Sequence, residues 1–192
     1  MQNATIKAQV SNGKKISSRK QQGGWGLLET LIVIAVAGLA IGAVVARGNN
    51  ATEKEKINQD MQSLQVLGQN LAQSFATKPD TAAVTAAYAI AYQAAPQDMI
   101  NGAALRNKVG GSITVAPATL NTANDAIQIT SNNYDQQGCL SLASKAAATF
   151  RTVTVNTTVV KAATAPAVVE ATLQGACTNT TANTIDLVIA KG

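Results

Sequence analysis

The chain has no histidine in 192 residues. Without an imidazole, Ser-His-Asp and Cys-His nucleophile arrangements cannot form. Only two cysteines are present, too few to hold a structural zinc ion without histidine. No Gly-Lys-Ser/Thr phosphate-cradling loop occurs either. Aromatic residues make up 3% of the chain and charged residues 13%. The carboxylates Asp80, Asp98, Asp125, Asp135, Glu170 and Asp186 are scattered, and nothing in the sequence gathers them into an acid-base pair, so they read as solvated or structural. These absences point away from an enzyme and imply no cofactor and no metal.

Charge is equally lopsided. Lys7, Lys14, Lys15, Arg19 and Lys20 fall in the first 24 residues, which contain no acidic residue; beyond Gly24 the basic and acidic residues balance at ten each. The overall excess of +5 and the pI of about 9.4 therefore belong to those first 24 residues. Basic residues of the remaining chain do not cluster, so no nucleic-acid-binding patch is supported.

What the sequence does have is one long apolar run. From Trp25 to Ala46 there are 22 residues with a single charge, Glu29. At 1.5 Å per residue a helix of that length is roughly 33 Å, enough to cross the hydrocarbon core of a bilayer. The basic flank ahead of it belongs on the cytoplasmic side, and the chain beyond Arg47 on the far side. Glu29 is costly inside such a span and calls for a partner or a function. It sits four residues after Trp25, on the same helix face. A cut between Gly24 and Trp25 would free an α-amino group about one turn from Glu29, a natural partner for the carboxylate on the same chain or a neighbour. A secretory signal would be cut after its apolar stretch; here the glycine pair Gly23-Gly24 precedes it, so the apolar helix is retained.

Gly24, an aromatic Trp25, Glu29 as the fifth residue after the glycine and the apolar run behind it together resemble the type IV prepilin signature. That resemblance covers residues 19–47. It implies a prepilin peptidase cutting after Gly24, with Trp25 and Glu29 as the assembly residues. Trp25 in place of the family's usual Phe, and the 24-residue leader, resemble the type IVb branch, particularly the major pilins of conjugative thin pili.

Behind the span, Ile57, Met61, Leu64, Leu67, Leu71 and Phe75 recur at three- and four-residue spacing and predict that the helix continues to Phe75 with a core-facing stripe. Gln59, Asp60, Gln62, Gln69, Asn70 and Gln73 fill the other face. A helix from Trp25 to Phe75 would be about 76 Å long. Gly38-x-x-x-Gly42 has the spacing of close helix approach in lipid, or serves flexibility. Pro79 ends the helix, with Asp80 or Thr81 capping a second one over 81–94. Within it Tyr88 and Tyr92 are a sugar-binding pair or, more simply, core. A short helix is predicted over 97–108, strands over 113–115 and 126–130, a loop at 131–133, and a helix over 139–150. Strands follow over 151–161, 167–173 and 184–190, with a polar loop over 175–183. Cys139 and Cys177, both in the part assigned outside the cytoplasm, suggest a disulfide; two buried, unpaired thiols are the alternative.

The predicted organisation is a removable leader (1–24), a transmembrane and assembly half-helix (25–47), and an exported globular domain (48–192). Its fold class is α+β: a long N-terminal α-helix, its first half membrane-spanning, with the remainder packed on an antiparallel β-sheet, type IV pilin-like. The favoured function is a structural subunit of a type IV pilus, held in the inner membrane before assembly and then displayed at the cell surface as a homo-oligomeric filament. Its partners would be the prepilin peptidase and the inner-membrane assembly machinery, with no nucleic acid. A type II secretion pseudopilin and an unrelated single-span protein with a periplasmic binding domain are the competing readings.

Overall fold

The structure, a computed structural model, describes residues 52–192. Within them a helix, α1, covers 52–75. All six apolar stripe residues from Ile57 to Phe75 are buried, so the stripe at helical period is the face that meets the sheet. The solvent stripe holds Gln59, Gln62, Gln69 and Gln73, as predicted, and also Val66, 44% exposed.

Seven antiparallel strands form one sheet in the order β1-β2-β3-β4-β7-β5-β6. They are β1 (Ile100–Asn101), β2 (Ala104–Arg106), β3 (Ser112–Ala118), β4 (Ala126–Tyr134), β5 (Thr152–Val155), β6 (Thr158–Lys161) and β7 (Asn183–Ala190). The last strand inserts between β4 and β5, so β7 lies inside the sheet rather than at its edge. Alternation at period two sends Ile113, Val115, Ile127, Ile129, Val153, Val155, Ile185 and Leu187 into the core. In register, Val115 pairs with Ile129, Ile129 with Leu187 and Leu187 with Val153, one apolar row across four strands. A Cβ on Gly68 of α1 would stand 3.2 Å from the Phe150 ring and 3.6 Å from Ile129; the missing side chain lets α1 lie close to the sheet.

Three further helices surround this layer: α2 (Ala86–Ala91), α3 (Gln136–Ala146) and α4 (Glu170–Ala176). The N-cap of α2 is Thr85, whose hydroxyl accepts from Tyr88 N, rather than Asp80 or Thr81. Asp80 instead accepts from Ala82 N, and Thr81 is buried against the backbone of Asn124 and Ala126. Helix α3 starts earlier than the apolar pattern suggested because Asp135 caps it, accepting from Gly138 N at 2.7 Å.

Several local expectations fail for identifiable reasons. Residues 97–108 form one 3-10 turn (Gln97–Met99) and the β1–β2 hairpin, not a helix. Asn101-Gly102 is a hairpin turn signal, and Gly102 takes φ +63°. Residues 131–133 lie within β4, where the pairing shifts between Ser131 and Tyr134 and Asn133 has φ 70°; three polar residues mark a bulge rather than a loop. The strand expected over 151–161 is two strands joined at Asn156-Thr157, both with positive φ. The strand expected over 167–173 is instead helix α4. Leu173, Ala176 and Cys177 recur at helical spacing and are buried, and Glu, Ala, Leu and Gln favour helix over strand. Gly175 and Ala176 therefore belong to α4 and Asn183 opens β7, which shortens the loop placed over 175–183.

Candidate functional site

Gly24, Trp25 and Glu29, the cleavage and assembly residues suggested by the sequence, lie outside the described residues, as do the apolar run and Gly38-x-x-x-Gly42. Among the described residues, no helix is long and apolar enough to cross a membrane, and no cluster of acidic or sulfur side chains has the makings of a metal site.

Cys139 and Cys177 are brought together and bonded, joining the first turn of α3 to the C-cap of α4. Both are wholly buried. Beside them lies a polar knot that sequence reasoning missed. Asn183, with no exposed surface, donates through Nδ2 to the carbonyls of Tyr134 (3.0 Å) and Asn179 (2.7 Å). Its Oδ1 accepts from Asn156 Nδ2 (2.7 Å) and Asn179 N (3.2 Å). Asn156 in turn reaches Ala176 O and accepts from Thr184 N. Two asparagines thus tie the β5–β6 turn, the end of α4, the segment after Cys177 and the start of β7. Asn156 takes φ 48°, which asparagine tolerates; nothing in the sequence marks Asn183.

A second polar cluster fastens α1. Asp60, read as part of the solvent face, is 1% exposed. Its Oδ1 accepts from Lys108 N at 2.6 Å and its Oδ2 faces the Tyr134 hydroxyl at 3.4 Å. Tyr134 Oη and Ser131 Oγ are hydrogen-bonded at 2.8 Å, with either able to donate, and Asn107 Nδ2 donates to Ser131 Oγ at 3.0 Å. Burial pushes the Asp60 carboxyl up to about 6, against the pull of the Lys108 and Tyr134 hydrogen bonds. Burial likewise raises the Tyr134 phenol. The Lys108 ammonium is engaged elsewhere, with Asp98 at 2.8 Å; that hydrogen bond holds Asp98 below the usual carboxylate range. Ser63 also donates to Asp98, Gln65 to Thr149 and Asn70 to Ala94 O, while Lys145 donates to Asn58. The polar side of α1 is therefore partly an anchoring surface.

Three other carboxylates are structural. Asp125 accepts from the backbone N–H groups of Leu120, Asn121 and Thr122, which lowers it to about 2. Asp186 accepts from Thr130, and Asp135 caps α3. Tyr88 and Tyr92 stack with ring centroids 4.2 Å apart, and Lys78 donates to the Tyr88 hydroxyl. Tyr92 is 67% exposed, so only Tyr88, packed against Phe75, joins the core. One shallow, open depression of about 440 Å³ is lined by Arg106, Ser112, Asn132 and Asn133 among others. It gathers no acid-base pair. Among the described residues these polar groups fasten α1, α4 and the turns to the sheet.

Comparison with known proteins agrees with that character. The family model described as PilS N terminal matches residues 47–190. No curated protein sequence matches the chain. Solved structures that share its fold include two pilins. One is a type IV b pilin from Salmonella typhi, 21% identical, with a TM-score of 0.55 over 68% of this chain and 97% of that one. The other is TcpA, a type IV pilin from Vibrio cholerae El Tor biotype, 18% identical, with a TM-score of 0.51 over 72% of this chain and 99% of that one.

Proposed function

This chain belongs to the PilS N-terminal family and has the type IV pilin fold, and we propose that it is the main subunit of a type IVb-like pilus used in cell contact such as conjugation, adhesion or aggregation. It is a structural subunit of a pilus, not an enzyme. In this reading the basic leader stays in the cytoplasm and prepilin peptidase cuts between Gly24 and Trp25. Residues 25–47 hold the subunit in the inner membrane until the pilus machinery extracts it, and the globular domain faces the periplasm. A disulfide in that domain supports an oxidising compartment.

The observation that carries the proposal is the run Gly24-Trp25 through Glu29, followed by an uninterrupted apolar stretch, in a chain of this family. An apolar helix leaving lipid would expose some twenty residues to water at about 25 cal/mol per Å². It can leave by passing into a bundle of identical helices. Inside that bundle Glu29 needs a counter-charge, and the α-amino group of Trp25 on a neighbouring subunit supplies one. The pairing would also fix each subunit's axial register.

The test is Glu29→Ala, read by electron microscopy of surface filaments with N-terminal analysis of the subunit. We expect a processed, membrane-held subunit and few filaments. Normal filaments built from processed Glu29→Ala subunits would refute the assembly role; an uncleaved variant would reassign Glu29 to peptidase recognition. A type II secretion pseudopilin would differ in wild type, by contributing no surface pilus.

A further inference from the structure

The chain has no histidine, so no side chain with an ordinary pKa near neutrality is present to sense mild acid. The buried carboxyl at the middle of α1 occupies a position suited to that task. Asp60 joins three elements: its own helix, the β2–β3 turn through Lys108 N, and strand β4 through the Tyr134 hydroxyl. The charged and titratable groups that face it are Lys108, Asp98 and Tyr134. Lys108 offers its backbone N–H, while its ammonium is turned to Asp98. Asp98 adds negative charge, and Tyr134 is a neutral phenol. The ionised carboxylate thus has one short hydrogen bond and one long one, in a place water does not reach. A buried ion without a close cation is strongly unfavourable.

We propose that Asp60 makes the attachment of α1 to the β2–β3 turn and to β4 acid-strengthened, taking up a proton in mildly acidic surroundings and reversing the hydrogen-bond chain that runs through Tyr134 to Ser131. When Asp60 is ionised, Ser131 Oγ donates to Tyr134 Oη and Tyr134 donates to Asp60 Oδ2. When Asp60 is protonated, Oδ2 donates to Tyr134 Oη and Tyr134 donates to Ser131 Oγ. The 2.8 Å Ser131–Tyr134 contact serves in either direction. Asp60 Oδ1 accepts from Lys108 N in both states. The change removes the buried negative charge in exchange for the donor bond of the Ser131 hydroxyl to Tyr134, while Ser131 Oγ goes on accepting from Asn107 Nδ2.

The sign comes from linkage. A carboxyl raised from 3.8 unfolded to about 6 folded binds more protons in the folded state between those values. Stability is then gained as pH falls from about 7 toward 4 and lost as pH rises through about 6. Between pH 7 and pH 5 the opening equilibrium should fall about tenfold.

The experiment is hydrogen exchange on the full chain in detergent micelles at pH 5 and pH 7, corrected for intrinsic exchange rates and read on peptides spanning residues 55–67 and 105–112. A ¹³C titration of the Asp60 carboxyl accompanies it. Wild type should show about tenfold fewer openings at pH 5 than at pH 7, with the Asp60 carbon titrating near 6. Asp60→Asn can accept from Lys108 N and donate to Tyr134 while remaining neutral, so its openings should match wild type at pH 5 and not change with pH. Tyr134→Phe removes a charge-assisted hydrogen bond from the ionised form and a weaker neutral one from the protonated form, so it should move the midpoint to higher pH. An Asp60 carbon titrating below pH 5, wild-type exchange indifferent to pH, or an Asp60→Asn variant with the wild-type pH response would each overturn the proposal.

Discussion

Replacing Cys139 and Cys177 together with alanine removes the covalent link between α3 and α4 while leaving the residues around it in place. The bond closes a separation of 38 residues. In the chain-entropy account, releasing a loop of that length from the unfolded ensemble costs about 4 kcal/mol of stability. Alanine is preferable to serine as the probe, because both sulfurs lie at sites without exposed surface and a buried, unpartnered hydroxyl adds about 1–3 kcal/mol of its own. For a chain of this size the loss corresponds to a fall in melting temperature on the order of 10 °C. Urea unfolding and thermal melting of the full chain in detergent measure it, with reduced wild type as a second arm. Because the effect is exerted mainly on the unfolded chain, protection should fall throughout the globular domain. The Asn156–Asn183 knot, which still ties α4 to β7, should keep the double variant folded. A stability change below about 1 kcal/mol, or a loss of protection confined to α4, would refute this reasoning.

Two other substitutions probe features whose geometry is unambiguous. At Gly111 an added Cβ would stand 2.0 Å from the Asn132 carbonyl oxygen, so Gly111→Ala must shift β3 against β4 and should lower stability by about 1–3 kcal/mol, on the scale of overpacked sites; unchanged urea unfolding would contradict it. Asn183→Ala strips four hydrogen bonds and leaves the Tyr134 carbonyl and Asn156 amide short of partners, a loss of about 2–4 kcal/mol, readable by the same unfolding and by faster hydrogen exchange over 177–184.

The parts of the fold that were legible in the sequence are those set by periodicity. The α1 stripe from Ile57 to Phe75 and the alternating strands β3, β4 and β7 were readable because burial on one face leaves a repeating mark. The pairing of Cys139 with Cys177 was one of two open readings, and the structure joins them. Local turn chemistry was harder to read. Asn101-Gly102 turned an expected helix into a hairpin, and Asn156-Thr157 split one strand into two. Val168-Val169 suggested a strand, but the Glu170–Gln174 stretch and the burial of Leu173 and Ala176 settled α4 as a helix. Asp60 was invisible as a buried group because a single carboxylate beside glutamines looks like any solvated helix face. Its burial depends on Lys108 and Tyr134, 48 and 74 residues away. The same is true of Asn183, whose side-chain partners come from three separate segments, at Tyr134, Asn156 and Asn179.

The proposed role is tested most directly by mass spectrometry of filaments sheared from the cell surface, without reduction. The account predicts that this chain is their principal component, that its first residue is Trp25, and that the Cys139 and Cys177 peptides remain linked. Filaments lacking the chain, or a filament subunit that still begins at Met1, would contradict it.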